Sequence, residues 1–133
     1  MSHLNVSVSP ICHDGAGRFL LAKRGGQAGD RHGSCEFGDG ALEPGEILET
    51  ALYCGAVEEF GVTLYDIKQV GLSEFNRPSS YWLGIFYVAR VNPEEVYIAE
   101  PVYDEIGWSL PEQFPEPMFE DARQFAKKAL ELI

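Results

Sequence analysis

The sequence predicts an α/β fold, a mixed β-sheet sandwiched between α-helices, in a single domain over residues 1–133. Three observations carry this expectation. Strand-like runs occupy residues 4–22 and 67–91. A helical apolar period covers residues 47–60, and a second covers residues 117–133. There are no repeats, linkers or low-complexity segments, and a chain of 133 residues can bury a substantial core.

From the N-terminus, Leu4, Val6 and Val8 alternate with Asn5, Ser7 and Ser9, the pattern of a half-buried strand. Asp14-Gly15-Ala16-Gly17 is a turn, and Phe19-Leu20-Leu21-Ala22 is expected to pair back as a hairpin. Residues 24–34 show no periodicity and are expected to form a loop, and Cys35-Glu36-Phe37 a short strand. Within residues 47–60, Leu48, Ala51, Leu52, Ala56 and Phe60 fall at helical spacing, and Gly61 suits a helix C-cap. Residues 67–75 and 81–91 read as longer strands; the second is nearly continuous in apolar residues, which predicts a central position. Residues 109–114 suit a short helical turn. From Pro117 to Ile133, Phe119, Ala122, Phe125, Ala126, Ala129, Leu130 and Ile133 lie on one face of a C-terminal amphipathic helix.

The formal net charge of −11 disfavours nonspecific binding of DNA or RNA, because the chain repels phosphate polymers. It leaves small phosphorylated molecules open, since divalent cations can sit between carboxylates and a polyphosphate. No apolar run approaches the roughly 18 residues of a membrane span. The N-terminal Met1-Ser2-His3-Leu4-Asn5-Val6 has neither the basic region nor the apolar core of a signal peptide, so a cytoplasmic location without membrane association is expected. The three cysteines, Cys12, Cys35 and Cys54, are widely spaced, which argues for free thiols over a disulfide framework or a zinc site.

The chemistry concentrates in residues 39–62. Asp39-Gly40-Ala41-Leu42-Glu43-Pro44-Gly45-Glu46 is a glycine-rich acidic turn, and Glu58-Glu59-Phe60-Gly61-Val62 closes the helix that follows. Successive helical residues lie about 100° apart, so positions 55, 58 and 59 share one arc of roughly 100°. Carboxylates on such an arc are the hard oxygen ligands that Mg²⁺ or Mn²⁺ prefers, with water and substrate phosphates completing the shell. Taken alone, Glu58-Glu59 would be read as a solvated acidic patch. The agreement of glycine, glutamate and hydrophobe positions from Gly40 to Val62 outweighs that reading.

These residues resemble the Nudix family. Its signature is glycine, five residues, glutamate, seven residues, Arg-Glu, a hydrophobe, any residue, Glu-Glu, any residue, glycine and a hydrophobe. Gly40, Glu46, Ala56, Glu58, Glu59, Gly61 and Val62 match it. Gly33-Ser34-Cys35-Glu36-Phe37-Gly38-Asp39-Gly40 is similar to the family's Gly-x-Trp-x-Phe-Pro-Gly-Gly approach to the box, with Trp, Pro and one Gly replaced. Downstream, residues 100–108 (Glu-Pro-Val-Tyr-Asp-Glu-Ile-Gly-Trp) resemble the Glu-Pro…Glu…Trp segment of MutT-like pyrophosphohydrolases. The resemblance implies the Nudix fold and Mg²⁺- or Mn²⁺-dependent hydrolysis of a nucleoside diphosphate linked to another moiety. Carried over by position, it implies Glu58, Glu59 and the backbone carbonyl of Asp39 as metal ligands. It makes Glu46, with Glu43, the acidic pair supporting the box, and Glu58, Glu59 and Glu46 the catalytic set. Glu100 or Glu105 could add an acidic group from a later segment. Homodimers are frequent among relatives, so a homodimer is one expectation.

The departures from the pattern bear on activity. Cys54-Gly55 stands where the family carries Arg-Glu. Glycine offers no ligand and costs about 1 kcal/mol relative to alanine inside a helix. Two carboxylates remain on the arc where the family has three, and loss of a catalytic group typically costs factors of roughly 10²–10⁴. Weakened or altered activity is therefore expected; the alternative is a non-catalytic domain that binds a nucleotide-like ligand or a protein partner. A third reading has an acid from another loop restoring catalysis. Cys54 as a replacement nucleophile lacks a histidine to activate it, and a packed, inert thiol is the better reading. Arg24, Arg31 and Arg77, scarce cations on or beside loops, are candidate substrate-binding residues, with solvated loop charge as the competing reading. His32 shares that position. Tyr81, Trp82, Phe86 and Tyr87 could stack on a base, although core packing accounts better for at least half of them.

Overall fold

The computed structural model describes residues 4–29, 31–77, 79–119 and 121–133. In chain order its elements are β1 Leu4–His13, β2 Phe19–Arg24, β3 Cys35–Glu36, β4 Gly40–Ala41, α1 Leu48–Phe60, β5 Tyr65–Arg77, β6 Ser80–Arg90, β7 Tyr103–Ser109 and α2 Ala122–Leu132. Short 3-10 turns lie at Pro93–Glu95 and Pro111–Gln113.

The apolar run of β6 places it centrally, as its composition predicts. It pairs in parallel with β1 from Leu4↔Tyr81 to His13↔Arg90, and antiparallel with β5 on its other side. The sheet order is β3-β2-β1-β6-β5, with β4 paired to β1 and β7 paired to β2. A strand covered on both faces sends alternate side chains into two different cores. On one face, Val8, Cys12, Leu20, Ala22, Ile85, Tyr87 and Ala89 pack with Ala51, Leu52, Ala56 and Phe60 of α1. On the other, Ile11, Phe19, Leu21, Phe86 and Val88 pack with Ala122, Ala126 and Ala129 of α2. Helices on both faces of a mixed sheet agree with the fold class read from the sequence.

Three details differ from that reading. The strand β1 is not half-buried: Ser7 and Ser9 are buried like Val8, while Leu4 at the strand's start is 56% exposed. Both faces of β1 are covered from Ser7 onward, so polarity alternates without exposure alternating. The C-terminal helix begins at Ala122, and Met118 instead bridges in parallel to Cys35. The strand β7, to which the sequence reading assigns no element, pairs with β2 from Phe19↔Ser109 to Arg24↔Tyr103. Its alternation is broken by Gly107 and by exposed Asp104 and Glu105, which hides it from a periodicity argument. Among the described residues, no helix is long and apolar enough to cross a membrane.

Helix α1 ends as expected. Gly61 takes a left-handed conformation (φ 67°, ψ 23°), and its backbone N–H donates to the Val57 carbonyl. A Cβ at this position would also lie 2.1 Å from Cε1 of Tyr97. Tyr97 is mostly exposed and its ring can turn aside, so backbone strain dominates. Gly61→Ala is therefore expected to lower stability by about 1–2 kcal/mol, the usual cost of left-handed backbone for an L residue. The check is a lower urea midpoint with an unchanged slope; an alanine variant as stable as the parent would remove Gly61 from the termination of α1.

Candidate functional site

The glycine-rich turn after β3 joins the sheet through β4, which pairs with Ser7 and Val8 of β1, and meets α1. Gly40 faces α1 at ordinary contact distance, a β-carbon there lying 3.9 Å from Cα of Gly55, and the close approach is made at Gly38. Gly38 has φ 116°, and a Cβ there would come within 2.9 Å of the Phe60 ring and 3.3 Å of Glu59 Oε1. This tight approach brings the Asp39 backbone N–H to Glu59, donating to Oε1 at 3.0 Å. A cleft of about 450 Å³ opens between the turn, α1 and the start of β7. Acids dominate its wall: Asp39, Glu43, Glu46, Glu58, Glu59 and Glu100, with Arg24 as the cation.

Adjacent glutamates play different parts here. Glu58 is exposed and lines the cleft, whereas Glu59 is only 7% exposed. Beside Glu59 lies a second buried carboxylate that the sequence reading does not single out, Glu36 of β3, also 7% exposed. The phenol of Tyr103 sits between them, its oxygen 2.7 Å from Glu59 Oε2 and 3.0 Å from Glu36 Oε2. Arg24 Nη1 donates to Glu36 Oε1 at 3.0 Å, and Arg31 Nη2 lies 4.0 Å from the same oxygen. Burial pushes the Glu59 carboxyl up to about 8, against the opposing pull of the Tyr103 and Asp39 hydrogen bonds. The Tyr103 hydroxyl is raised too, first by burial and then by the two carboxylates. One phenolic proton cannot serve two acceptors fully. With Glu59 protonated, its carboxyl donates to the Tyr103 oxygen and Tyr103 donates to Glu36, so both short contacts become hydrogen bonds.

On the α2 face of the sheet lies a second cavity of about 480 Å³. Phe37, Phe75, Phe86 and Phe119 give it aromatic walls, while Ser7, Ser9, Ser73 and Asn76 supply neutral polar groups. Arg31, Glu36, Gly38 and Asp39 close the end nearest the acidic cleft. Asp39 lines both cavities, so the turn is their common wall.

The structure gathers Asp39, Glu43, Glu46, Glu58 and Glu59 in one cleft, with the Glu43 backbone N–H donating to Glu46 Oε1 at 2.7 Å. Of the two later acids, Glu100 lines the cleft, whereas Glu105 lies 3.4 Å from Lys23 and lines a different cavity. Of the candidate substrate-binding cations, Arg24 reaches the cleft wall with its guanidinium on Glu36, and Arg31 lines the aromatic cavity. Arg77 ends β5 opposite Ser80, and its side chain falls outside the described residues. Phe86 lines the aromatic cavity and Tyr87 packs in the α1-side core. Trp82 stacks on Phe75 at 6.2 Å, and Tyr81 is 40% exposed. Cys54 is exposed at the cleft and not packed as the sequence reading expects, because its side of α1 faces away from the core; burial instead raises Cys12 to about 12, an inert thiol. Buried Glu36 and Tyr103 were missed because neither belongs to a periodic or motif position that marks it as functional.

The donor set is all-oxygen and suits Mg²⁺ or Mn²⁺. Among the described residues no three His, Cys, Asp or Glu side chains are gathered as a ready-made metal cage. A Cβ built on Gly55 meets nothing within 4 Å, so this helix position opens directly onto the cleft. Glu58 and Glu59 both line the cleft, and Mg²⁺ usually takes only one or two protein carboxylates, with water and phosphates completing its shell.

No family model matches the chain. It is 38% identical over 73 residues to RNA pyrophosphohydrolases of Actinobacillus pleuropneumoniae, among them serotype 5b (strain L20) and serotype 3 (strain JL03). That match covers 55% of this chain and 30% of each relative, so the chain matches less than a third of their length. A MutT Nudix hydrolase from Burkholderia pseudomallei superposes with a TM-score of 0.83 at 21% identity, over 96% of this chain and 98% of that one. A MutT protein from Methanosarcina mazei Go1 gives 0.82 at 21%, over 98% and 95%.

The raised Glu59 carboxyl makes a prediction about pH. Between its ordinary value near 4.5 and about 8, the unfolded state has released this proton while the folded state keeps it. Fewer protons on the unfolded state mean that stability falls as pH rises across that window. Glu59→Gln, a neutral near-isostere, is expected to lose this component. Urea unfolding in chelator-treated buffer at pH 5 and pH 8.5 should show the stability difference between variant and parent shifting in the variant's favour at high pH. Parallel pH profiles would mean that Glu59 is already ionised in the folded protein.

Proposed function

We propose that this chain, which has the fold of the MutT Nudix hydrolases, is a metal-dependent pyrophosphohydrolase of a small nucleoside diphosphate-linked molecule, with activity weakened at position 55. The observation that carries this reading is the shared wall: one turn separates an acidic cleft from an aromatic cavity, and Asp39 lines both. A nucleotide has a flat apolar base at one end and a polyanion at the other. The aromatic cavity suits the base, through Phe75, Phe86 and Phe119, with Asn76, Ser7 and Ser9 offering hydrogen bonds. The acidic cleft suits the diphosphate only when a cation lies between. Glu58 and Glu59 would hold it, with the Asp39 carbonyl as a further ligand.

Bound there, Mg²⁺ or Mn²⁺ supplies charge neutralisation for the diphosphate and polarisation of its phosphorus oxygens. The chain's own residues do the rest. Glu46, anchored on the Glu43 N–H, supports the turn. Glu59 is held from two sides by Asp39 and Tyr103. Arg31, which lines the aromatic cavity, would contact a phosphate or base. The curated relatives carry the name RNA pyrophosphohydrolase, and polynucleotide is the substrate class that a chain of net charge −11 disfavours. A small nucleotide, accompanied by its cation, escapes most of that repulsion. A cytoplasmic location and a homodimer accord with this reading.

A second reading is a non-catalytic domain binding a nucleotide-like ligand or a protein. Gly55 and the lack of a three-ligand cage among the described residues favour it. One assay separates the two. Purified protein is tested against nucleoside triphosphates, sugar nucleotides, ADP-ribose, dinucleotides and a 5′-triphosphorylated RNA oligonucleotide, with Mg²⁺ or Mn²⁺. Alongside run Glu59→Gln and the double variant Cys54→Arg/Gly55→Glu. The expected outcome is slow, cation-dependent release from a small nucleotide, reduced by roughly 10²–10⁴ in Glu59→Gln and increased in the double variant. An inert parent with an active double variant supports the binding-domain reading, and preference for the oligonucleotide contradicts the argument from charge. Phe75→Ala should raise KM more than it lowers kcat, because its ring would contact only the base.

A further inference from the structure

We propose that Tyr103 is a positioning residue of the acidic cleft: its hydroxyl holds the Glu59 carboxyl group in one orientation, and Glu36 with Arg24 anchors that hydroxyl from the sheet. The metal-binding part of the test rests on the cleft reading given above; the geometric part does not.

A glutamate side chain on a helix has three rotatable bonds and, at a cavity wall, several accessible orientations. Here each carboxylate oxygen of Glu59 has a fixed partner: Asp39 N–H at 3.0 Å for Oε1 and the Tyr103 hydroxyl at 2.7 Å for Oε2. The Asp39 donor belongs to the glycine-rich turn. The Tyr103 hydroxyl is the more rigid partner. Its ring is 4% exposed and stacked on Phe60, with centroids 5.7 Å apart and planes inclined by 14°. A packed phenol has no freedom except rotation of its hydroxyl, so the oxygen is fixed in space by ring packing.

Behind Tyr103 the chain of contacts continues into the sheet. Glu36 Oε2 lies 3.0 Å from the phenol oxygen, and Arg24 donates to Glu36 Oε1 at 3.0 Å. The Arg24 and Glu36 side chains are 12% and 10% exposed, so this ion pair is largely removed from water. Residues from β2, β3, β7 and α1 thus converge on one carboxylate at the cleft wall. Buried ionic groups are poor stabilisers, and an apolar filling of similar volume is often as stable or more so. What the arrangement achieves that an apolar filling would not is a defined position for Glu59. Partners of this type behind a cation-binding carboxylate typically change affinity by about 10- to 100-fold when removed.

The test compares Tyr103→Phe with Tyr87→Phe. Both delete one hydroxyl from a buried tyrosine of the same α1-side core, and both keep the ring. Tyr87 lies outside the cleft, so it controls for packing. The first readout is the ¹³Cδ resonance of Glu59 in glutamate-labelled, cation-free protein; the second is Mn²⁺ binding followed by electron paramagnetic resonance. Tyr103→Phe is expected to shift and broaden the Glu59 resonance and to weaken Mn²⁺ binding by about 10-fold or more. Tyr87→Phe is expected to leave both as in the parent. An unchanged Glu59 resonance in Tyr103→Phe, or the same change in both variants, overturns the proposal. A parent that binds no Mn²⁺ sinks the cation reading of the cleft, while the Glu59 resonance still decides the role of Tyr103. In the unsubstituted protein the Tyr103 hydroxyl proton should give a slowly exchanging, downfield resonance. Rapid exchange of that proton with bulk water overturns the proposal without recourse to a variant.

Discussion

Two buried carboxyl groups enclosed around a single phenol are the constraint on which the site depends. Glu36 and Glu59 come from elements far apart in sequence, and each is almost fully removed from water. Such a pair is tolerated only if something supplies charge and hydrogen bonds. Arg24 supplies the charge, and Tyr103 and the Asp39 N–H supply hydrogen bonds. Those partners exist only because β7 pairs with β2 and because the turn after β3 approaches α1 without side chains in the way. The acid pair, the strand pairing and the glycines therefore belong to one arrangement.

The sheet carries two cores, and the two cavities lie on the corresponding faces. Alternation along β1, β2 and β6 sends one set of side chains toward α1 and the other toward α2. The cleft at the α1 side is acidic, and the cavity at the α2 side is aromatic and uncharged along most of its wall. The turn from Phe37 to Gly40 connects them, and Asp39 lines both. A ligand with an apolar ring and a polyanionic tail matches this division of chemistry, and its tail would need a cation among the carboxylates. Within the acidic cluster Glu58 is exposed and Glu59 buried, so the two adjacent carboxyl groups have different surroundings.

Much of the fold was readable from periodicity. The apolar run of β6, the helical spacing of residues 48–60 and the glycine at position 61 each depend on local physics: burial on both faces, one apolar stripe and a left-handed cap. The acidic cluster of the cleft was also readable, because Glu43, Glu46, Glu58 and Glu59 sit in a motif with fixed spacing. The strand β7 was not. Gly107, Asp104 and Glu105 interrupt its alternation, and it is held by its partner strand more than by its own propensity. The burial of Ser7 and Ser9 was equally hidden, since a serine reads as surface until both faces of its strand are known to be covered.

By itself the sequence determined most of the elements, though not β7, together with the scaffold of turn and helix and the missing side chain at position 55, because each depends on residue type and short-range spacing. Tertiary structure alone decided which acids would be buried. Glu36, Tyr103 and Arg24 acquire their roles from strand pairing across large sequence separations, and the neighbouring Glu58 and Glu59 acquire different roles from facing different surroundings. The physical reason is that desolvation and hydrogen bonding at a buried site depend on which surfaces meet. A chain's local pattern specifies the surfaces, and only their packing specifies the meeting.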